Sequence, residues 1–203
     1  MKSFISEDDI EQAICNRLSL PEYGWKRIEC DARVEAQDDV STTGRANPSE
    51  CILPDVFLAA LKRLNPQVEE GVLQGILRDF RKDYTATDMV ETNYKLYNQL
   101  RNGIKKPVRK NGKEDFDIVR LIDFDHPERN DFHCVNQMWI KGHYRYRRPD
   151  VLLFVNGLPV VFIELKNSTV KVEESYNKNL TSYRKDIPNI FSFNQICVLS
   201  NGL

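Results

Sequence analysis

The chain has 203 residues, 41% of them hydrophobic and 29% charged, with a formal net charge of −1. That length and apolar content suffice for one sizeable core, or one core with a small helical annex, without disulfide staples. The near-zero charge excludes a global field that draws the molecule onto nucleic acid, so such binding must come from local patches or neighbouring domains.

The five cysteines, Cys15, Cys30, Cys51, Cys134 and Cys197, form no CxxC pair and have no histidine at metal-ligand spacing. Buried thiols in a reducing compartment are expected, with the cytoplasm as the location. The start, MKSFISEDD, has no apolar run behind a basic patch, and no window reaches the roughly 18 apolar residues of a bilayer span, so no membrane association is expected. The sequence closes on VLSNGL directly after an apolar strand pattern, which suggests a piece of a longer polypeptide.

In chain order, SEDDIEQAICNRL has Ser6 as a candidate N-cap, acids in the first turn and apolar residues at Ile10, Ala13, Ile14 and Leu18, which predicts an amphipathic helix ended by Pro21 and Gly24. WKRIEC and ARVEA suggest an early strand pair, and the polar stretch from Ser41 to Ser49 reads as a surface loop. PDVFLAALKRL, VEEGVLQGILRDFRK and TATDMVETNYKLYNQLRNG are helical patterns, the last stopping at Gly103. IKKPVRKNGKED reads as a basic, turn-rich connector. DIVRLIDF, DFHCVNQMWIKGHYRY, DVLLFV, PVVFIEL and NQICVLS are strand candidates, with a helix over VEESYNKNLTSYRKDI between the last two. The order strand, strand, helix, strand predicts an α/β domain with a mixed sheet flanked by helices.

The stretch RRPDVLLFVNGLPVVFIELKN concentrates the chemistry. It places Asp150, Glu164 and Lys166 on two short apolar strands, and burying two carboxylates and an amine is costly unless they bind something. A divalent metal with a phosphodiester fits that need. The turn decides whether the acids meet. If only Asn156 and Gly157 form the loop, Val155 opposes Leu158 and the carboxylates fall on opposite faces. A three-residue loop, Val155 to Gly157, with Gly157 left-handed, puts Phe154 opposite Leu158; Asp150 then faces Phe162 with Glu164 diagonal to it, all on one face with Lys166. That register is the expectation, with a bulge near Asp150 as another route to the same parity. Asp150, Glu164 and the Leu165 carbonyl would make a hard oxygen site suited to Mg²⁺. Lys166 would aim at the attacking water or the phosphate, as a general base or as an electrostatic group.

This arrangement resembles the PD-(D/E)xK nuclease core, and the wording around it is similar to the N-terminal nuclease domain of the restriction, or motor, subunit of type I restriction-modification enzymes. LIDFDHPERNDFHCVNQMWIKG, LKRLNP and YRKDIPNIFSFNQICVLSNG resemble further segments of that family, so the similarity covers most of residues 5 to 203. The resemblance implies a restriction-endonuclease-like fold over residues 1–203 and Mg²⁺-dependent cleavage of double-stranded DNA. In that family, two helicase-type motor domains that hydrolyse ATP follow, and the subunit assembles with methyltransferase and specificity subunits; ATP belongs to those absent domains. This chain has no GxxxxGK[ST] loop. The domain by itself is expected to be monomeric.

Carried over by position, Asp150 and Glu164 match the metal carboxylates and Lys166 the catalytic lysine. A family Gln followed four residues later by Tyr falls here on Asn179 and Tyr183, with an amide one methylene shorter. The superfamily's first helix often brings an acid toward the metal, a role open to Glu7 or Glu11. In KGHYRYRRP, the cations Lys141, Arg145, Arg147 and Arg148 precede Asp150 and are candidates to hold the DNA backbone, although strand alternation prevents all of them from facing it. The run Lys105, Lys106, Arg109, Lys110 and Lys113 reads as a solvated loop. The competing readings are another PD-(D/E)xK nuclease, of repair or type III restriction kind, and an inactive DNA-docking or assembly module.

Overall fold

The computed structural model describes residues 6–82, 88–110, 113–169 and 175–201. Its centre is a five-stranded mixed sheet, in the order β1 (Lys26–Glu29), β4 (Phe132–Asn136), β7 (Val151–Val155), β8 (Leu158–Leu165), β9 (Ile196–Ser200). The two outer pairs, β1 with β4 and β8 with β9, are parallel, whereas the two inner pairings are antiparallel. With helices against both faces, this is the restriction-endonuclease-like α/β arrangement that the sequence predicts.

Alternation along the strands sorts side chains to two cores. On one face, α1 (Glu7–Leu18) lays Ile10, Ile14, Cys15 and Leu18 against Cys134, Val151, Leu153, Ile163 and Leu165. Ser6 starts α1 through a capping box with Asp9. Cys15 and Cys134 meet in this core as free thiols, with sulfurs 3.4 Å apart. On the other face, Val135, Leu152, Phe154 and Phe162 meet Leu180, Tyr183, Ile187, Ile190 and Phe191, from a π-helical turn (Ser175–Leu180), α5 (Thr181–Asp186) and α6 (Pro188–Phe193). The three predicted helices, α2 (Pro54–Leu64), α3 (Glu70–Phe80) and α4 (Met89–Asn102), form the helical annex around Phe57, Leu73, Ile76, Phe80 and Leu96. No helix among the described residues is long and apolar enough to cross a membrane.

Several local expectations change. ARVEA is not a strand; Val34–Ala36 is a 3₁₀ turn, and β1 pairs with β4 instead. The predicted connector is a two-stranded ribbon of β2 (Ile104–Lys110) against β3 (Lys113–Val119). Its strands carry the second basic run, of which the side chains of Arg109, Lys110 and Lys113 lie outside the described residues. The long strand expected over 131–146 breaks at Gln137, whose φ is +59°. Beyond the break, β5 (Ile140–Lys141) and β6 (Tyr146–Arg147) form a small hairpin. The helix expected from Val172 begins, within the described residues, at Ser175 with π geometry and ends at Asp186, and α6 follows it unforeseen because Pro188 at its first turn starts a new helix. Parts of the predictions at 83–87, 170–174, the first five residues and the last two lie outside the described residues.

Candidate active site

The central hairpin corrects the predicted register. Its loop has two residues, Asn156 at φ +50° and Gly157 at φ +79°, and Val155 opposes Leu158. Both left-handed positions fit a tight hairpin turn. By itself that register would separate the acids, but it shifts between Leu153 and Phe154: Phe154 pairs with Pro159 and Leu153 with Val161. Val160 is therefore the extra residue of a β-bulge. Beyond it Leu152 pairs with Phe162 and Val151 with Ile163, so the next step sets Asp150 opposite Glu164 rather than opposite Phe162. The expected common face is achieved by a bulge three residues from Asp150, not by a three-residue loop.

Asn156 holds the turn in place. Fully buried, it donates to the carbonyl of Leu121 and to Asn130 Oδ1, both at 2.8 Å, and accepts from the Asp131 backbone at 2.7 Å. The Leu53 N–H bonds the carbonyl of Gly157 at 2.9 Å, which ties the turn to the start of α2.

At the other end of the hairpin the functional groups converge. Asp150 Oδ2 accepts the Leu165 backbone N–H at 2.6 Å. Glu164 is 3% exposed. Its Oε1 accepts from Lys166 Nζ at 2.9 Å and from Asn179 Nδ2 at 2.8 Å, while its Oε2 is buried without a hydrogen-bond partner among the described residues. Lys166 Nζ also donates to the Leu165 carbonyl at 2.7 Å. Asn179, despite its shorter side chain, thus reaches the acid. Tyr183 packs edge-on against Phe162, with ring centres 5.1 Å apart, and donates its hydroxyl to the Arg148 carbonyl at 3.1 Å.

Both candidate acids of α1 come to this end of the sheet, in different ways. Glu7 Oε1 accepts the Asn167 N–H at 3.1 Å, and its other oxygen lies 3.8 Å from Lys166 Nζ. Glu11 is buried and accepts from Asn136 Nδ2 at 2.8 Å and from Gln137 Nε2. Sequence reasoning had not assigned Asn136 and Gln137 a place at the site; the signal was two consecutive amides directly after the apolar run of β4.

The electrostatics follow from this crowding. Burial, and then the neighbouring charge of Glu164, push the Asp150 carboxyl up to about 7, against smaller opposing effects of the Leu165 N–H and Lys166. For Lys166, burial favours the neutral amine, but the bond to Glu164 and the charges of Glu164, Glu7 and Asp150 outweigh it, so the ammonium is stabilised. Burial, reinforced by Glu164 and Asp150, raises the Tyr183 phenol and keeps it protonated.

The donor set suits a hard divalent cation. Two facing carboxylates, a main-chain carbonyl and a buried carboxylate oxygen without a partner are oxygen ligands that a cation would relieve of mutual repulsion. Among the described residues no group of three or more His, Cys, Asp and Glu side chains is placed to hold a metal by itself. A cation here would need the Leu165 carbonyl and water to complete its shell.

The predicted DNA contacts separate into two kinds. Arg147 is tied to Asp186, Nε at 2.7 Å, and lies over the Tyr183 ring, while Arg148 bonds the Ala32 carbonyl and lies over Trp139. These two brace the hairpin base. Lys141 and Arg145 are exposed near the turn of the β5–β6 hairpin. Gly142 there approaches Asp186 so closely that an added Cβ would lie 1.6 Å from its carbonyl oxygen.

Known proteins are similar to this chain over most of its length. It is 31% identical to the type I restriction enzyme HindI endonuclease subunit of Haemophilus influenzae, over 98% of this chain and 19% of that protein. It is 32% identical to the putative type I restriction enzyme MjaIXP endonuclease subunit of Methanocaldococcus jannaschii, over 78% of this chain and 16% of that protein. The chain therefore spans less than a fifth of the length of these curated relatives. The family model described as type I restriction enzyme R protein N terminus matches residues 4–203, and the chain belongs to that family.

Proposed function

We propose that residues 1–203 are the endonuclease domain of a type I restriction enzyme, hydrolysing phosphodiester bonds of double-stranded DNA with Mg²⁺. The observation that carries this reading is the bulged hairpin that sets Asp150 opposite Glu164, with the Leu165 N–H on Asp150 and the Lys166 ammonium on Glu164 and the Leu165 carbonyl. Asp150, Glu164 and the Leu165 carbonyl would hold the ion. When bound, Mg²⁺ neutralises charge on the phosphate and lowers the pKa of a water.

The protein's own groups do the rest. Lys166 is stabilised as an ammonium, which favours an electrostatic role at a phosphate oxygen over a general base in this state. Asn179 fixes one oxygen of Glu164 and leaves the other for the ion. Tyr183 holds the Arg148 carbonyl and so sets the chain's approach to Asp150. Lys141 and Arg145 supply backbone contacts to DNA. The ATP-driven motor, and the methyltransferase and specificity subunits, belong to the longer enzyme, which acts in the cytoplasm.

The test is Mg²⁺-dependent cleavage of supercoiled plasmid by the full subunit in its complex with ATP. Asp150→Ala, Glu164→Ala and Lys166→Ala should each cut at least about 100-fold more slowly while ATPase activity and DNA binding persist, and a chelator should abolish cutting by the wild type. Variants that cut like wild type would assign the hairpin a docking role instead.

A further inference from the structure

Gln137 combines three features that its position in the chain does not demand. Its φ of +59° is left-handed, a conformation that costs a non-glycine residue on the order of 1 kcal/mol or more. Its backbone N–H donates to the Asp150 carbonyl at 3.0 Å, and its side-chain amide donates to Glu11. Its Oε1 is buried and has no hydrogen-bond partner among the described residues. Strain and an unsatisfied buried acceptor at one residue are both unfavourable, and both sit at the residue whose backbone N–H bonds the Asp150 carbonyl.

The geometry places these features in one device. β4 pairs with β7 up to Asn136 opposite Val151, so the left-handed break at Gln137 falls where the strand reaches Asp150. A residue continuing β4 in extended geometry would project its side chain alternately to the sheet faces and would not return to Glu11 beside Asn136, which already faces α1. The kink lets consecutive amides, Asn136 and Gln137, grip the two oxygens of Glu11. That grip holds Glu11 beside the strand end whose Gln137 N–H bonds the Asp150 carbonyl.

Resting on the metal-site reading above, we propose that Gln137 is a positioning residue for the ion: its amide N–H fixes Glu11 behind Asp150, and its free carbonyl oxygen accepts a hydrogen bond from a water of the ion's shell. Mg²⁺ and Mn²⁺ both retain water when only a few protein oxygens bind them. A bound water would satisfy Oε1, and Glu11 would add attraction for the cation without touching it.

The experiment uses the chain with Mn²⁺ as the probe, binding being read from loss of the free-ion electron paramagnetic resonance signal, with no DNA or turnover involved. Gln137→Gly removes the amide while relieving the left-handed backbone, and a thermal melt checks that the variant remains folded at the temperature of the binding measurement. We expect its Mn²⁺ half-saturation to rise about 10-fold. Wild-type affinity in Gln137→Gly would overturn the proposal, provided that Glu164→Ala binds weakly. If Glu164→Ala also binds like wild type, the metal-site reading itself falls, and the proposal with it.

Discussion

Asp150 carries a pH signature that falls near neutrality. Its carboxyl is raised to about 7 by burial and by Glu164, well above its ordinary value. The folded metal-free protein therefore binds this proton more tightly than the unfolded chain does. The stability lost to that charge is absent at low pH, sets in as pH rises from about 4 to 7, and is fully felt above 7. We predict that Asp150→Asn stabilises the metal-free protein at pH 8 by on the order of 2 kcal/mol, allowing for relaxation and solvent. The gain should vanish near pH 4. Thermal melts in chelator across that range check it, and a gain independent of pH would contradict the assigned cause. Mg²⁺ should reverse the order at pH 8, because the ion stabilises Asp150 and has less to hold in the Asn variant.

Among single residues, the grouping of the candidate site was the most legible part of the sequence. Asp150, Glu164, Lys166, Asn179 and Tyr183 were all named from pattern and resemblance, and the structure brings them within hydrogen-bond reach of one another or of the adjoining backbone. Gln137 was not singled out because its importance lies in a left-handed φ and a partner 126 residues away, neither of which leaves a periodic trace. The same holds for Arg147 and Arg148: a run of cations looks alike whether it faces DNA or braces Asp186 and Trp139.

Among elements, the β7–β8 hairpin shows how a right face can follow from a wrong register. Parity was inferred correctly from the need for two acids to meet, yet two devices give the same parity, and sequence does not distinguish a longer loop from a bulge at Val160. The Asn156-Gly157 turn chemistry favoured the two-residue loop that is found. The turn is also a structural anchor. A Cβ on Gly157 would lie 2.6 Å from the Leu53 carbonyl and 2.8 Å from the Phe57 nitrogen, at a φ of +79°. Gly157→Ala should therefore cost about 3 kcal/mol, more than a left-handed glycine alone would. Urea unfolding measures this, and a loss below about 1 kcal/mol would show that the start of α2 yields easily. The β2–β3 ribbon was missed for a different reason: its lysines and Pro107 mimic a loop composition, although a two-stranded ribbon tolerates both.

Across the whole molecule, three layers meet at one point. α1 brings Glu7 and Glu11 from one face of the sheet, the π-helical turn and α5 bring Asn179 and Tyr183 from the other, and β7 and β8 supply Asp150, Glu164 and Lys166 at the centre. On the proposed nuclease reading, a net charge of −1 would leave attraction for DNA to local groups such as Lys141 and Arg145, as suits a domain handed its DNA by a larger assembly. The layer order was legible because helical and strand periodicities are strong; the convergence was legible only through resemblance, since no local pattern reports contacts across the sheet. A crystal structure of the chain with Mn²⁺, read by anomalous scattering, tests whether this convergence holds a divalent ion. We expect a peak bound by Asp150, Glu164 and the Leu165 carbonyl, with the Lys166 ammonium withdrawn from that carbonyl; a saturated crystal with no peak between the two carboxylates would rule out an ion there.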